Sequence, residues 1–242
     1  MIVVIGSAAF QPGPAAPGRA AGLAPEIAAE AAAAGATVEL LTRVGDDGAG
    51  EELLLALART GVGHLAVLRD PAGATALTSG ALDEATNDDG DLALALLAEA
   101  EAVVETNIGV QAGSLPPDGS RTGASAPPRE PVLEPADVSL GLRYLRDFRV
   151  VVAVEPIADG AAPVIAEAAA FAGAVLVVVA RPGAGVPEDY AGATVFEAPP
   201  DDPERAFARL VGRYAAALDD GVDAGAAFRA ATESGGWAAT GD

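Results

Sequence analysis

Short apolar runs alternate along this chain with Ala- and Leu-rich segments, and this alternation constrains the fold more than any other feature. The first third predicts a strand over Met1–Gly6, a helix over Ala24–Ala34, a strand over Thr37–Val44, a helix over Gly48–Thr60 and a strand over His64–Arg69. Glycine follows each helix, as is usual at a helix C-terminus. The runs are rich in Val, Ile and Leu, which is typical of strands buried in a parallel sheet. The pattern therefore predicts right-handed βαβ units.

The second half of the chain repeats this pattern after a less regular middle. In the middle we predict a strand over Thr75–Ser79, a helix over Asp91–Ala100, a strand over Ala102–Thr106 and a flexible loop over residues 110–135. The remainder predicts helices over Pro135–Arg146, Ala161–Ala172, Pro203–Leu218 and Asp223–Glu233, and strands over Arg149–Val154, Ala174–Ala180 and Thr194–Glu197. At 242 residues the chain is long enough for one core. We predict a single α/β domain over residues 1–242.

Composition excludes several classes of function. The formal charge is −21, with 14 basic residues against 35 acidic ones, and every basic residue is Arg. Nucleic-acid binding requires a basic face, so we expect no nucleic-acid partner. The chain has no Cys and only His64, which excludes thiolate and His-based metal clusters. No apolar run reaches the length of about 20 residues that a membrane span needs, and the start of the chain lacks a basic signal region, so we expect a cytoplasmic protein without membrane contact.

The stretch Thr42–Val62, TRVGDDGAGEELLLALARTGV, contains the most specific local pattern. Gly45 and Gly48 permit backbone conformations that other residues avoid. Asp46 or Asp47 can accept the free N–H groups at the start of the following helix. A capped turn between a strand and a helix therefore explains these residues without a ligand.

The same stretch, taken with its neighbours, resembles the ribokinase-like (PfkB) family of carbohydrate and nucleoside kinases. The last eight positions of the family pattern Gly-x-Val-Gly-x-Asp-x-x-Gly correspond to Arg43–Gly50 here, with a helix that closes at Gly61-Val62. Leu133–Asp137 resembles the turn Leu-Thr-Pro-Glu-Asp that opens a later family helix, and Gly221–Thr240 resembles the last family helix. The resemblance implies a three-layer α/β/α, ribokinase-like (Rossmann-like) domain. In the family, a β-sheet lid that folds over the sugar is built from the segment between the first strand and the first helix. That segment is short here, so we expect a reduced lid.

The resemblance also implies ATP-dependent phosphoryl transfer to a sugar or nucleoside hydroxyl, with Mg²⁺. The family supplies the base and the phosphate-binding amides in an Asp-Thr-x-Gly-Ala-Gly-Asp segment at a helix N-terminus. Without gaps, Gly-Ala-Gly-Asp falls on Arg205–Ala208; a three-residue deletion instead places Arg205 at the base. Neither alignment leaves a carboxylate at the catalytic position. Arg stays protonated at any working pH, so we assign no catalytic residue.

The residues that the family uses for binding are only partly present. On the substrate side, Gln11 and Glu26 keep polar side chains at positions of Asp and Asn in the family motifs, and Gly22 keeps a motif glycine. On the nucleotide side, Val179–Gly185 is the nearest match to a Thr-Leu-Gly-x-x-Gly turn, although that strand also fits an earlier family strand and the alignment stays open. Lysine is absent, so only Arg, backbone N–H groups or a metal can hold an anion. The candidate anion-binding residues are Arg181, Gly183 and Arg205.

Three hypotheses about function follow from these matches and losses. The first is a non-catalytic or weakly active relative that binds a sugar or nucleoside-like small molecule. The second is an active ATP-dependent kinase that recruits Asp201, Asp202 or Glu204 as its base, although carboxylates there also suit a helix cap. The third is a structural or regulatory subunit, with a homodimer as one arrangement of the chain.

Overall fold

Six parallel strands form the central sheet of the computed structural model, which describes residues 1–13, 17–78, 129–202 and 204–234. The strands of the chain are β1 (Ile2–Ile5), β2 (Ala9–Gln11), β3 (Arg19–Ala21), β4 (Val38–Gly45), β5 (Val67–Asp70), β6 (Ala76–Leu77), β7 (Val150–Val154), β8 (Val175–Ala180) and β9 (Thr194–Glu197). The helices are α1 (Leu23–Ala33), α2 (Gly48–Arg59), α3 (Pro135–Tyr144), α4 (Ala161–Ala172), α5 (Ala206–Asp219) and α6 (Ala224–Ser234). A short 3-10 turn at Glu188–Tyr190 precedes β9.

The strand order of the large sheet is β5-β4-β1-β7-β8-β9. The chain fills one side of β1 first, with β4 and β5, and then returns to the other side with β7, β8 and β9. The direction of winding therefore reverses between β1 and β7. In open α/β sheets such a reversal opens a crevice at the carboxyl ends of the strands.

Helices cover both faces of this sheet, which confirms the predicted three-layer α/β/α architecture. One apolar cluster joins alternate residues of the sheet to α1, α2, α5 and α6. A second cluster joins the opposite strand faces to α3 and α4. All four residues of β1 are inaccessible to solvent because this strand lies at the centre and is covered on both faces. The apolar sequence of the strands thus follows from double-sided burial.

Close contact between α1 and α5 depends on Gly212. A Cβ on this residue would lie 2.8 Å from the backbone nitrogen of Ala31 and 2.9 Å from the carbonyl oxygen of Ile27. Such distances are shorter than van der Waals contact, so only glycine allows the two helix backbones to approach this closely. The approach fixes the position of the middle of α5 relative to α1.

A second, small sheet has the order β3-β2-β6. Strand β2 pairs antiparallel with β3 and parallel with β6. The sequence predicted neither β2 nor β3, because strands of three residues beside Pro and Gly leave too little pattern to detect. With two or three residues per strand, this sheet agrees with the expected reduced lid.

The remaining predicted elements agree with the structure apart from shifts of one to three residues at their ends. Helix α4 and strand β9 have the predicted bounds, whereas α5 begins at Ala206 rather than Pro203 and β5 begins at Val67 rather than His64. The predicted helix Asp91–Ala100, the predicted strand Ala102–Thr106 and residues 110–128 of the predicted loop lie outside the described residues. The described residues belong to one compact unit.

Candidate functional site

The turn between β4 and α2 is held by the side chain of Asp47. Its Oδ1 accepts hydrogen bonds from the Gly50 N–H (2.8 Å) and the Thr75 hydroxyl (2.7 Å), and its Oδ2 accepts one from the Thr75 N–H (2.8 Å). Burial raises the pKa of Asp47, but the hydrogen bonds from Thr75 and Gly50 outweigh it, so the pKa lies below its ordinary value. The capped-turn interpretation of this motif is confirmed, with Asp47 as the cap. Asp46 instead pairs with Arg69 at 2.8 Å on the surface.

Two of the predicted binding residues, Glu26 and Arg205, come together beside the small sheet. Glu26 Oε1 lies 2.9 Å from Arg19 Nη1 and 3.7 Å from Arg205 Nε. These three residues line a cavity of about 140 Å³ between α1, α2 and the start of α5. Gln11 lies opposite Arg19 in the β2–β3 pairing. Glu26 is thus engaged by two guanidinium groups of the chain itself.

Gly22 precedes α1 and has a φ of 103°, a conformation that strains any residue with a Cβ. Its role in the structure is to start the helix after β3. A Cβ there would meet nothing closer than 3.7 Å, so the backbone angle and not crowding requires glycine.

The turn after β8 contains the other two predicted anion-binding residues, Arg181 and Gly183. Gly183 has a φ of 67°, and its N–H donates to Oε1 of Glu197 at 2.9 Å. Arg181 is exposed. Neither residue lines the cavity that contains Glu26 and Arg205. Glu197, at the end of β9, was not anticipated, because its contact with Gly183 depends on the pairing of β8 with β9.

The N-terminus of α5 is capped by Asp202. Its two carboxylate oxygens accept hydrogen bonds from the backbone N–H groups of Phe207 (3.0 Å) and Ala208 (2.9 Å). Arg205, the residue before the helix, has a φ of 52°, which turns the chain so that Asp202 reaches these amides. Asp201 and Glu204 are exposed. Of the three carboxylates expected at this helix start, Asp202 is the one that caps it.

A notch lies at the carboxyl end of β1, where the winding of the sheet reverses. Strand β1 stops at Ile5, opposite Leu41, while β4 continues to Gly45. The notch has a volume of about 320 Å³. Its lining consists of Gly6, Ser7, Thr42, Arg43, Glu130, Pro131, Val132, Leu133, Pro156, Ile157 and Ala158. The only local signal for this notch in the sequence is the polar pair Thr42-Arg43, which follows the apolar residues Leu40 and Leu41 in β4.

Arg43 connects the notch to α3 and β5. Its Nη1 lies 2.8 Å from Asp137 and its Nη2 lies 3.2 Å from Asp70. Burial lowers the pKa of the guanidinium, but the hydrogen bond and attraction of Asp137 and the attraction of Asp70 outweigh it, so the pKa is raised. Arg43 Nε is buried without a hydrogen-bond partner among the described residues, as is Thr42 Oγ1. Both of these unsatisfied atoms belong to residues that line the notch.

Replacing Thr42 with valine should leave the unliganded protein at least as stable as the wild type, with a gain of about 1 kcal/mol in the free energy of unfolding. The buried hydroxyl has lost its water and gained no partner, so a methyl group of similar size removes a penalty. Urea denaturation measures the difference. Thr75→Val is the matched control, because Thr75 is also buried but its hydroxyl is paired: it donates a hydrogen bond to Asp47 Oδ1 and accepts one from the Gly45 N–H. Removal of the Thr75 hydroxyl should therefore destabilise the protein. A loss of stability in Thr42→Val would contradict the described environment of Thr42.

No helix in the described ranges is long and apolar enough to cross a membrane. Within the same ranges, no group of three or more His, Cys, Asp or Glu residues is placed to hold a metal ion.

Together the layers, the strand order and the small sheet define a ribokinase-like α/β/α fold. No protein-family model and no curated protein matches the sequence.

Solved structures match it in fold. The chain superposes on a PfkB protein from Polaromonas sp. JS666 with a TM-score of 0.57 at 18% identity, covering 97% of this chain and 94% of that one. For Arabidopsis thaliana ribokinase complexed with ribose and ATP, the TM-score is 0.58 at 15% identity, with 97% and 90% covered. For a putative ribokinase II from E. coli in complex with ATP and Mg²⁺, it is 0.55 at 14% identity, with 100% and 93% covered.

Proposed function

We propose that this chain is a ribokinase-like protein that binds a sugar or nucleoside-like small molecule at the carboxyl ends of its strands and transfers phosphate poorly or not at all. The observation that carries the proposal is the position of Asp202. Free backbone N–H groups at a helix N-terminus are a ready site for a phosphate. Here a carboxylate of the chain itself occupies the amides of Phe207 and Ala208.

A negative side chain at this position opposes a phosphate in two ways. It uses the hydrogen bonds that the phosphate would need, and it repels the phosphate charge at short range. The turn after β8 repeats the arrangement, because Glu197 accepts the hydrogen bond of the Gly183 N–H. The formal charge of −21 adds a general repulsion of anionic ligands. Asp202 and Glu197 therefore do not fit a site for the phosphates of ATP.

The positions that the family motif assigns to a base also support the proposal. The two alignments place Ala208 or Arg205 there, and neither side chain accepts a proton at neutral pH. Arg205 instead approaches Glu26, so the candidate substrate residue and the candidate anion-binding residue neutralise each other.

The second candidate function is an active kinase with ATP and Mg²⁺ as cofactors and Asp201, Asp202 or Glu204 as base. Fold neighbours solved with ATP favour it, since they have the same architecture. Asp201 and Glu204 are exposed at the start of α5 and free to face a substrate hydroxyl. Asp202 suits this role less well, because both of its oxygens accept backbone hydrogen bonds.

A thermal-shift panel tests the proposal. Sugars, nucleosides and nucleotides are added with and without Mg²⁺, and each ligand that raises the unfolding temperature is then assayed for ATP turnover. A ligand at 100 times its Kd should add about 2.7 kcal/mol of stability. The proposal predicts stabilisation by uncharged members of the panel and little by ATP. Stabilisation by ATP with Mg²⁺, followed by turnover, would support the kinase instead.

Replacing Asp202 with alanine should open the amides of α5 to an added anion. We expect a loss of about 1–2 kcal/mol of stability without added anion, because a helix cap is removed. Sulfate should then recover more stability in the variant than it adds to the wild type. Glu204→Ala is the control, since it removes the same charge from the same turn without freeing those amides. An equal sulfate response in all three proteins would show that Asp202 does not stand in for an anion.

A further inference from the structure

We propose that a groove between α3 and α4 is the surface through which two copies of this chain form a symmetric dimer. The groove has a volume of about 740 Å³, and its lining residues fall within 139–148 and 164–172. Strands β7 and β8 begin at this edge of the sheet, because they follow directly on these two segments. The groove is therefore remote from the carboxyl ends of the strands, where we place the ligand, and the inference is independent of the proposed function.

The floor of the groove is apolar. It is formed by Leu142, Leu145 and Phe148, which are buried in the second apolar cluster. On the side of α4, the small side chains of Ala168 and Ala172 leave the space between the two helices unfilled. The remaining lining includes exposed charged side chains. An apolar centre with a charged rim is the usual anatomy of a protein–protein interface.

Phe171, in the last turn of α4, lines this groove and is 95% exposed. A whole aromatic ring in water is unfavourable unless a partner covers it. Helix α4 does not need the ring to form, since it is mostly alanine, which favours a helix more than phenylalanine does. One copy thus carries both a protruding ring and a cavity beside it. A two-fold axis would place the ring of each copy in the groove of the other.

The charged side chains of the groove are also complementary to themselves. Arg143 and Arg146 line it together with Asp147 and Glu167. None of these four side chains forms an ion pair or hydrogen bond with the described part of the chain, whereas an arginine such as Arg43 contacts two carboxylates. In a two-fold contact the arginines of one copy face the carboxylates of the other. All four side chains would then have partners.

The charge balance of the groove favours a second copy over other partners. With a formal charge of −21, two copies repel each other over most of their surface. The groove has two positive and two negative side chains, so this repulsion is weakest there. A strongly basic partner would leave the arginines unpaired, and a strongly acidic one would leave the carboxylates unpaired. A partner with the same balance of charges pairs both.

Sedimentation velocity of the full chain tests the proposal. We expect a species of twice the mass of the chain at micromolar concentrations. Phe171→Ser should raise the dissociation constant of the dimer at least about a hundredfold, because aromatic anchors dominate binding and the symmetry removes the ring twice. The ring is exposed in the single copy, so the variant should fold as the wild type does. Leu55→Ser, which changes an exposed apolar residue of α2 on the opposite face of the sheet, is the control and should dimerise as the wild type does.

An exchange of charges tests whether the partner is a second copy. The acidic variant combines Arg143→Glu with Arg146→Glu, and the basic variant combines Asp147→Asn with Glu167→Arg. Asparagine suits the second of these changes, because Asp147 has a φ of 61° and Asn adopts such angles more readily than most residues. Each variant alone should be monomeric, since its two grooves would carry like charges. An equal mixture of the two should restore the dimer.

A wild type that stays monomeric throughout the micromolar range would overturn the proposal, whether another part of the chain or a different protein then fills the groove. A dimer that survives Phe171→Ser, or a mixture of the two charge variants that stays monomeric, would overturn it as well. Loss of this proposal leaves the Asp202 argument standing. ATP turnover by the wild type would defeat the proposed function without changing the mass of the protein.

Discussion

Replacing Gly50 with alanine should destabilise the protein by about 3 kcal/mol. A Cβ on Gly50 would lie 2.4 Å from the carbonyl oxygen of Gly45 and 3.0 Å from Thr75 Oγ1. The first contact is with backbone, so relief requires that β4 and α2 move apart, and overpacking of this kind costs about 1–3 kcal/mol or more. The movement would also stretch the hydrogen bond from the Gly50 N–H to Asp47. Urea denaturation monitored by far-UV circular dichroism gives the difference.

Gly48→Ala is the matched control, two residues earlier in the same helix turn. A Cβ on Gly48 meets nothing within 4 Å, so alanine there should be neutral or stabilise by a few tenths of a kcal/mol through its better helix propensity. Equal effects of the two substitutions would show that the close approach of Gly50 to Gly45 is absent in solution.

Replacing Asp47 with alanine should cost about 3 kcal/mol. The carboxylate accepts three hydrogen bonds, and the Thr75 and Gly50 N–H groups would lose their partner in a partly buried setting. The Asp47 carboxylate connects the end of β4, the start of α2 and the segment before β6, so its removal affects more than one element. Asp46→Ala is the control: its ion pair with Arg69 is exposed and should contribute less than about 1 kcal/mol.

The pH dependence of stability should differ between the wild type and Asp47→Asn. The pKa of Asp47 is lower in the folded protein than in the unfolded chain. A lowered pKa stabilises the fold above the unfolded value of about 3.9, and this stabilisation is lost as the pH falls through the folded pKa. The difference in stability should therefore be constant near neutral pH and shrink in acid below about pH 4. A difference that grows as the pH falls would contradict the assigned hydrogen bonds.

The large sheet and its helices could be predicted from the sequence because burial on both faces leaves a strong local pattern. Strand β7 is an unbroken run of Val and Ala, and helix α4 is almost entirely apolar between Gly160 and Gly173. Strands β2 and β3 could not be predicted, since they are too short for their pattern to exceed that of the surrounding loop.

The candidate site was less predictable than the fold. The pairing of Glu26 with Arg205 joins residues far apart in the chain, and no local pattern signals it. The unsatisfied atoms of Thr42 and Arg43 follow from where β1 stops relative to β4, which is set by sheet register. An acidic cap at the start of this helix was predicted, because an acidic residue just before a helix has a local physical reason, but the sequence did not distinguish Asp202 from Asp201 and Glu204.

The rate of ATP turnover by the wild-type chain tests the central claim most directly. The assay contains Mg²⁺ and a panel of sugars and nucleosides, with a variant in which Asp201, Asp202 and Glu204 are all alanine measured in parallel. Because a carboxylate fills the helix N-terminus where a phosphate would bind, we predict that the wild type and the variant both give the enzyme-free rate. Wild-type turnover many-fold above that rate would contradict the account, and its loss in the triple variant would identify the start of α5 as the source of the base.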